Sequence, residues 1–136
     1  MRKRPGVDHF LEVMSQHYEV VIFTASMSVY ADAVLDVLDP KGFCTSRLYR
    51  EHCTLLQDER GPIYTKDLSM IGRDAKDSIL IDNSPDAYMY QPEQAIPITS
   101  WYNDIEDKEL IDLIPILIKM SSIPDIRVPI SQFVIN

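Results

Sequence analysis

With 136 residues, 46% of them hydrophobic and 25% charged, the chain can bury one core and has the composition of an ordinary globular domain. Its formal net charge of −8 argues against direct binding to a nucleic-acid backbone as a main activity. No stretch approaches the roughly 18–20 continuous apolar residues that a membrane span needs, and two cysteines are too few for a disulfide scaffold or a zinc site.

The first forty residues predict a helix, a strand and a second helix. Apolar residues at helical spacing predict a first helix over residues 5–17. An uninterrupted apolar run at residues 20–23 predicts a strand covered on both faces, as in a parallel sheet. The second helix is expected to turn one apolar face to the core, made of Tyr30, Ala33, Val34, Val37 and Leu38.

Strands and helices continue to alternate after residue 40. A short strand over residues 46–50 and a turn over 58–62 precede a second buried strand over 78–82. Residues 96–98 predict a shorter strand in which Pro97 takes an edge or strand-end position. An amphipathic helix follows over residues 104–121, and Pro115 should kink or divide it. The alternation predicts a layered α/β fold with crossover connections.

The end of the first strand suits a ligand site, because ligands bind beyond the carboxyl ends of the strands in open parallel sheets. Thr24 and Ser26 follow that strand, and a helix begins immediately afterwards. Free amides at the start of a helix favour a phosphate. The alternative is that Thr24 or Ser26 only caps the helix, and the two interpretations are compatible.

The second strand ends at Asp82, which Asn83 follows directly. A carboxylate and an amide oxygen in this place can bind a hard cation such as magnesium. They can equally form an Asx-type turn before Pro85, and in isolation the pattern favours that turn. Lys66, taken alone, is typical of a surface residue.

Taken together, the motifs resemble the family that dephosphorylates the carboxy-terminal domain (CTD) of RNA polymerase II. This family includes small CTD phosphatases and Dullard-like enzymes and lies within the haloacid dehalogenase superfamily. The resemblance covers residues 3–120, and so many motifs in the family's order make it specific. The motifs are Lys3-Arg4-Pro5-Gly6-Val7-Asp8, Phe10-Leu11, Phe23-Thr24-Ala25-Ser26, Tyr30-Ala31-Asp32, Tyr49-Arg50-Glu51 with Cys53, Lys66-Asp67-Leu68, Gly72-Arg73-Asp74, Asp82-Asn83-Ser84-Pro85 and Ser100-Trp101-Tyr102.

The resemblance implies a haloacid-dehalogenase-like, Rossmann-like α/β fold with a three-layer parallel sheet, and an aspartate-based phosphatase that requires Mg²⁺. Thr24 would hold a phosphate oxygen with its hydroxyl, helped by the backbone amide of Ala25. Lys66 would neutralise charge on the phosphoryl group as the transition state develops. Asn83 would bind Mg²⁺ directly, and Asp82 would support the ion or its waters.

The resemblance also implies a substrate, namely phosphoserine or phosphothreonine in a peptide or protein segment. Arg50 would be a second cation near this substrate, and Tyr30 would belong to the rim that contacts the peptide. The expected location is nuclear or cytoplasmic. The alternative function is a non-catalytic binding module on the same fold, as in a receptor subunit of the mitochondrial inner-membrane translocase.

The sequence departs from the family in one respect. These enzymes attack phosphorus with an aspartate in a D-x-D-x-T motif on the first strand, and the 136 residues contain no such motif. We therefore expect the central nucleophile strand to be missing, a gap between the strands that end near Thr24 and Asp82, and an inactive chain. Residues 1–121 are predicted to form the incomplete phosphatase-type domain, and residues 122–136 a C-terminal tail.

Overall fold

The structure, a computed structural model, describes residues 2–134 and divides into two compact units. The first unit consists of the chain up to Glu51 with Ser100–Ser121, and the second of His52–Thr99 with the chain from Ser122 onward. The helices are α1 (Val7–Ser15), α2 (Ser28–Leu38), α3 (Glu109–Met120) and α4 (Arg127–Val134). The strands are β1 (Val21–Phe23), β2 (Ser46–Leu48), β3 (Thr54–Asp58), β4 (Gly61–Thr65), β5 (Leu80–Asp82) and β6 (Ala95–Pro97).

Packing of α1 against α3 forms much of the core of the first unit. Phe10, Leu11 and Met14 are buried on α1, as their helical spacing predicts. Each fully buried side chain of this size contributes about 1.5–3 kcal/mol of hydrophobic stabilisation. Gly6 precedes α1 with φ 82°, and a Cβ there would lie 2.9 Å from Ile111 Cδ1 and closer still to Cγ1. Glycine therefore permits both the backbone conformation and the close approach of α3.

β1 and β2 pair in parallel, with Val21 opposite Ser46 and Phe23 opposite Leu48. Both strands were predicted, but the prediction that β1 is covered on both faces is wrong. Val21 is 40% exposed, and Ile22 and Phe23 are half-buried. Within the described residues β1 pairs with β2 only, so this apolar strand forms one edge of a two-stranded sheet.

The predicted core face of α2 is also wrong. The helix buries Ala31 and Leu35, and Leu38 is half-buried. An ion-pair network between α2 and β2 favours this orientation, because Arg47 binds Asp32 at 3.1 Å and Asp36 at 2.9 Å. The remaining residues of the predicted face are exposed: Tyr30, Ala33, Val34 and Val37.

α3 runs from Glu109 to Met120 without a break, so Pro115 does not divide the helix, and a kink at this residue stays a prediction. A proline in a helix removes one backbone hydrogen bond, and the buried apolar face of α3 offsets that loss. The helix begins five residues later than predicted. In the segment before the helix Arg4 binds Asp107 at 2.7 Å, and it also pairs with Glu109, the first residue of α3.

The second unit contains an antiparallel hairpin and a parallel pair of strands. β3 and β4 pair around the two-residue turn that separates Asp58 from Gly61, where the sequence predicted only the turn. β5 pairs in parallel with β6, with Leu80 opposite Ala95 and Asp82 opposite Pro97. Pro97 is the last residue of β6, which confirms its predicted strand-end position.

α4 lies in the segment predicted to be a tail. It packs against β6 and against the 3₁₀ helix Pro92–Gln94, and Ile130 is completely buried. Ile126 and Ile130 therefore contribute to the core of the second unit, while the domain boundary at residue 121 stays a prediction. None of the helices in the described part of the chain has the length and apolar character that a bilayer crossing requires.

Candidate functional site

Thr24 lies at the end of β1 in the first unit, where the amide of Thr24 donates to the carbonyl of Leu48 at 2.9 Å. The Thr24 hydroxyl oxygen accepts from the amide of Ser26 at 3.0 Å and forms a tight turn. α2 begins only at Ser28, and Met27 occupies its N-cap position without a side-chain cap. The interpretation that Thr24 or Ser26 caps this helix is therefore wrong.

Arg50 lies beside the same turn. Its Nε donates to the carbonyl of Ala25 at 2.8 Å, and its backbone amide donates to the carbonyl of Ser26 at 3.1 Å. The structure thus brings Thr24, Ala25 and the exposed guanidinium of Arg50 together within the first unit. Tyr30 lies in the first turn of α2 and is 72% exposed, and its role at a substrate-contacting rim stays a prediction.

Lys66 and Asp82 form a buried ion pair in the second unit. Lys66 follows β4, Asp82 ends β5, and the Lys66 Nζ lies 2.5 Å from Asp82 Oδ2. Only 11% and 9% of the two side chains are exposed, so Lys66 is not the surface residue that its local sequence suggested. Two charges leave water here at a considerable desolvation cost, which their mutual attraction must offset.

Asp82 also shapes the loop that follows β5. Its Oδ1 accepts from the amide of Ser84 at 3.0 Å, which is the Asx-type turn that the sequence offered as one alternative. One carboxylate therefore binds Lys66 through one oxygen and closes the turn through the other. Asn83 lies on the exposed side of this turn.

The oxygens of Asp82 and Asn83 are of the type that Mg²⁺ prefers. The ion is usually held by one or two carboxylates together with waters and substrate phosphates. Among residues 2–134 no cluster of three or more histidine, cysteine or acidic side chains could hold a metal ion. The oxygen donors of Asp82 and Asn83 are thus compatible with a part of such a site, and their role as magnesium ligands stays a prediction.

The backbone around Lys66 is tied to the loop after β5. The amide of Lys66 donates to the carbonyl of Ala87 at 2.8 Å, and the hydroxyl of the fully buried Thr65 donates to the same oxygen at 3.2 Å. Leu68, Leu80 and Ala87 form a small apolar cluster beneath these contacts. The position of Lys66 is therefore set by polar and apolar contacts together.

Two further sets of contacts near Lys66 and Asp82 could not be predicted from the sequence. Gln91 binds both Asp67 and the backbone of Leu68, the two residues that follow Lys66. Arg60, at the tip of the β3–β4 hairpin, binds Asp86 through two hydrogen bonds of 3.1 Å. Each contact joins residues more than twenty positions apart, so local patterns could not reveal it.

Cys44 offers no activated nucleophile in the first unit. Neither Cys44 nor Cys53 forms a disulfide, and both are half-buried. Burial, reinforced by the negative charge of Asp39, raises the pKa of Cys44 to about 12. Because the thiolate is the reactive form, Cys44 is inert near neutral pH. Asp39 itself accepts from the amides of Phe43 and Cys44, each at 2.9 Å, and so fixes the turn after α2.

Comparison with known proteins shows the family of the chain. Residues 1–127 match the model of the NLI interacting factor-like phosphatases. The chain belongs to this family. It is 45% identical over 130 residues to human "Carboxy-terminal domain RNA polymerase II polypeptide A small phosphatase 2", covering 96% of this chain and 46% of that protein. It is 48% identical over 133 residues to Xenopus laevis "CTD nuclear envelope phosphatase 1", covering 97% of this chain and 53% of that protein.

A solved structure of Fcp1, described as an essential RNA polymerase II CTD phosphatase, resembles the fold of the chain. The TM-score is 0.60 at 21% sequence identity, over 89% of this chain and 35% of that one. The predicted resemblance to the CTD phosphatases and the predicted α/β fold are therefore confirmed. The chain spans about half or less of the length of these phosphatase relatives. The predicted roles of its site residues stay predictions.

Proposed function

We propose that this chain supplies the phosphate-binding and magnesium-binding residues of a protein phosphoserine/phosphothreonine phosphatase. The observation that carries the proposal is the buried Lys66–Asp82 pair at the end of β5, in a chain of the NLI interacting factor-like phosphatase family. An ammonium group carries three donors, so Lys66 can bind Asp82 and still donate to a phosphoryl oxygen. A cation fixed in place before the reaction stabilises developing negative charge without the cost of reorganisation.

Each other site residue has a role in this proposal. The Thr24 hydroxyl and the amide of Ala25 bind phosphate oxygens, and Arg50 adds a positive charge beside their turn. Asn83 and Asp82 hold part of the coordination sphere of Mg²⁺, which supplies charge neutralisation when bound. Tyr30 offers an exposed aromatic surface to the polypeptide that carries the phosphate.

The proposed substrate is a phosphorylated protein segment, and the proposed location is the nucleus. Two matched relatives are named for the RNA polymerase II CTD and for the nuclear envelope, which supports both proposals. The 136 residues contain no D-x-D-x-T motif, so we expect the chain alone to bind phosphate without hydrolysing a phosphopeptide. The alternative of a non-catalytic translocase subunit is not favoured, because these relatives are named as phosphatases.

A titration with inorganic phosphate tests the proposal on this chain directly. Lys66→Met keeps the length of the side chain and removes its charge, and it should weaken phosphate binding at least tenfold. Lys41→Met is the matched control, because Lys41 is an exposed lysine in the turn after α2 and has no role in the proposed site. Equal phosphate affinity of wild type and Lys66→Met would contradict the proposal, provided that both proteins are folded.

A further inference from the structure

Gln91 uses both ends of its side-chain amide on the segment directly after Lys66. Its Nε2 donates to Asp67 Oδ1 at 2.7 Å, and its Oε1 accepts from the backbone amide of Leu68 at 2.9 Å. These two contacts fix the orientation of the amide, because a flipped group would turn its oxygen towards the Asp67 carboxylate. The Gln91 side chain thus serves as a donor to a carboxylate and as an acceptor for a backbone amide.

One carboxylate oxygen of Asp67 accepts three hydrogen bonds. Besides Gln91, Asp67 Oδ1 accepts from the amide of Ser69 at 3.0 Å and from the hydroxyl of Ser69 at 2.7 Å. The hydrogen bonds from Ser69 and Gln91 hold the pKa of Asp67 below its usual value, so the carboxylate stays ionised near neutral pH. Asp67 also caps the 3₁₀ helix Leu68–Met70, which makes this turn a defined structure rather than a loose connection.

The backbone of Lys66 is therefore held on both sides. On one side, Thr65 and Lys66 donate to the carbonyl of Ala87. On the other side, Gln91 holds Asp67 and Leu68. Both sets of contacts come from the stretch that follows Asp82, the ion-pair partner of Lys66. The segment with the cation and the segment with the anion are thus fixed to each other at several points.

We propose that Gln91 is a positioning residue for Lys66, because its contacts with Asp67 and Leu68 hold the Lys66 ammonium on Asp82 and in place for a phosphoryl group. The part of this inference that concerns the phosphoryl group rests on the proposed function. The part that concerns the position of the Lys66 ammonium does not. Gln94, three residues further along, has a separate role, since its buried amide donates to the carbonyl of Ser78. The positioning role therefore belongs to Gln91 and not to the glutamines of this segment in general.

The test measures hydrogen exchange of the Lys66 ammonium group by NMR on the 136-residue chain. Gln91→Glu removes the donor to Asp67, places a second carboxylate against it and keeps the acceptor for Leu68; it should speed this exchange about tenfold, as expected for the loss of one hydrogen bond to a charged group. Gln91→Leu removes both contacts without adding charge and should act in the same direction. Gln57→Glu makes the same chemical change at an exposed position of β3 and should leave Lys66 unaffected.

A rescue variant separates positioning from general damage. Asp67→Asn combined with Gln91→Glu restores one donor and one acceptor in reversed order and should slow the exchange of Lys66 again. Unchanged exchange of Lys66 in folded Gln91→Glu and Gln91→Leu would overturn the inference. Unfolding of both variants would also overturn it, because Gln91 would then support the whole unit rather than Lys66.

Inorganic phosphate distinguishes this inference from the proposed function. If wild type binds phosphate, Gln91→Glu should weaken its affinity about tenfold, in step with the change at Lys66, whereas an unchanged affinity would remove the phosphoryl part of the inference. If wild type binds no phosphate, the proposed function loses its support. The exchange of the Lys66 ammonium still decides whether Gln91 positions it.

Discussion

The ammonium of Lys66 and the carboxylate of Asp82 meet at 2.5 Å between the end of β4 and the end of β5. A buried charge destabilises the fold strongly when its ion-pair partner is removed. An ammonium group has three donors, so a buried lysine paired with a carboxylate can also receive a second anion. The pair therefore links the stability of the second unit to its proposed chemistry.

Removing one member of this pair should destabilise the chain strongly. Lys66→Met or Asp82→Leu alone leaves the other charge buried and unpaired, which costs about 3–5 kcal/mol of unfolding free energy. The double variant removes both charges and should recover most of that loss. Urea denaturation followed by circular dichroism gives the three values. A double variant as unstable as the sum of its two single variants would show that the charges do not depend on each other.

The contact of Arg4 with Asp107 should make stability depend on pH. The hydrogen bond from Arg4 lowers the pKa of Asp107 below its usual value of 3.8. A carboxyl group whose pKa is lower in the folded state stabilises the fold above 3.8 and loses this contribution as the pH falls through the lower value. The difference in melting temperature between wild type and Arg4→Met should therefore be larger at pH 6 than at pH 2.

Arg2→Met provides the control for this comparison, because Arg2 is exposed and carries the same charge near the same end of the chain. It should leave the melting temperature nearly unchanged at both pH values. An Arg4→Met effect that is equal at pH 6 and pH 2 would exclude the ionised pair as its cause.

Gly6→Ala should be more destabilising than Gly42→Ala. Both glycines have positive φ, 82° and 70°, so alanine incurs backbone strain of roughly 1–2 kcal/mol at either position. At Gly6 the new Cβ also collides with Ile111, whereas at Gly42 no atom lies within 4 Å. The excess destabilisation at Gly6 measures how closely the start of α1 approaches α3. Equal losses for the two variants in thermal unfolding would contradict the packing described here.

Cys44 should react slowly with iodoacetamide. Its pKa is raised from the usual 9.0 to about 12, which reduces the thiolate fraction on the order of a thousandfold at pH 8. The rate is best measured in Cys53→Ala, where Cys44 is the remaining thiol. Asp39→Asn removes the neighbouring negative charge and should speed the reaction, although less than full exposure would, because burial is the larger cause. Labelling of folded Cys53→Ala as fast as that of a free cysteine would contradict the burial of Cys44.

Local patterns predicted the elements better than they predicted the faces of those elements. The apolar runs before Thr24 and Asp82 became β1 and β5, and the helical spacing around Phe10 became α1. On α2, apolar residues occupy both sides of the helix, so periodicity could not choose between the faces. Arg47 influences that choice from another element, through its contacts with Asp32 and Asp36.

In the candidate site too, local motifs predicted the residues but not their contacts with residues far away in the chain. Motifs identified Thr24, Lys66 and Asp82 because each stands in a recognisable string. The burial of Lys66 depends on Asp82, sixteen positions away, and the contact of Gln91 with Asp67 spans twenty-four positions. A single sequence gives the chemistry of these side chains but not their partners, since the partners lie far away along the chain.

The most direct test of the proposed function is turnover in a chimera. Residues 1–136 would replace the matching 130-residue segment of the human small phosphatase 2 named above, which retains the rest of that protein. The folded chimera should release phosphate from a phosphoserine peptide in a magnesium-dependent reaction. Lys66→Met should lower kcat about 10²–10³-fold, as expected for loss of a donor that stabilises the transition state, while Lys41→Met should leave it unchanged. A folded chimera that releases no phosphate, or one in which Lys66→Met turns over at the wild-type rate, would contradict the proposal.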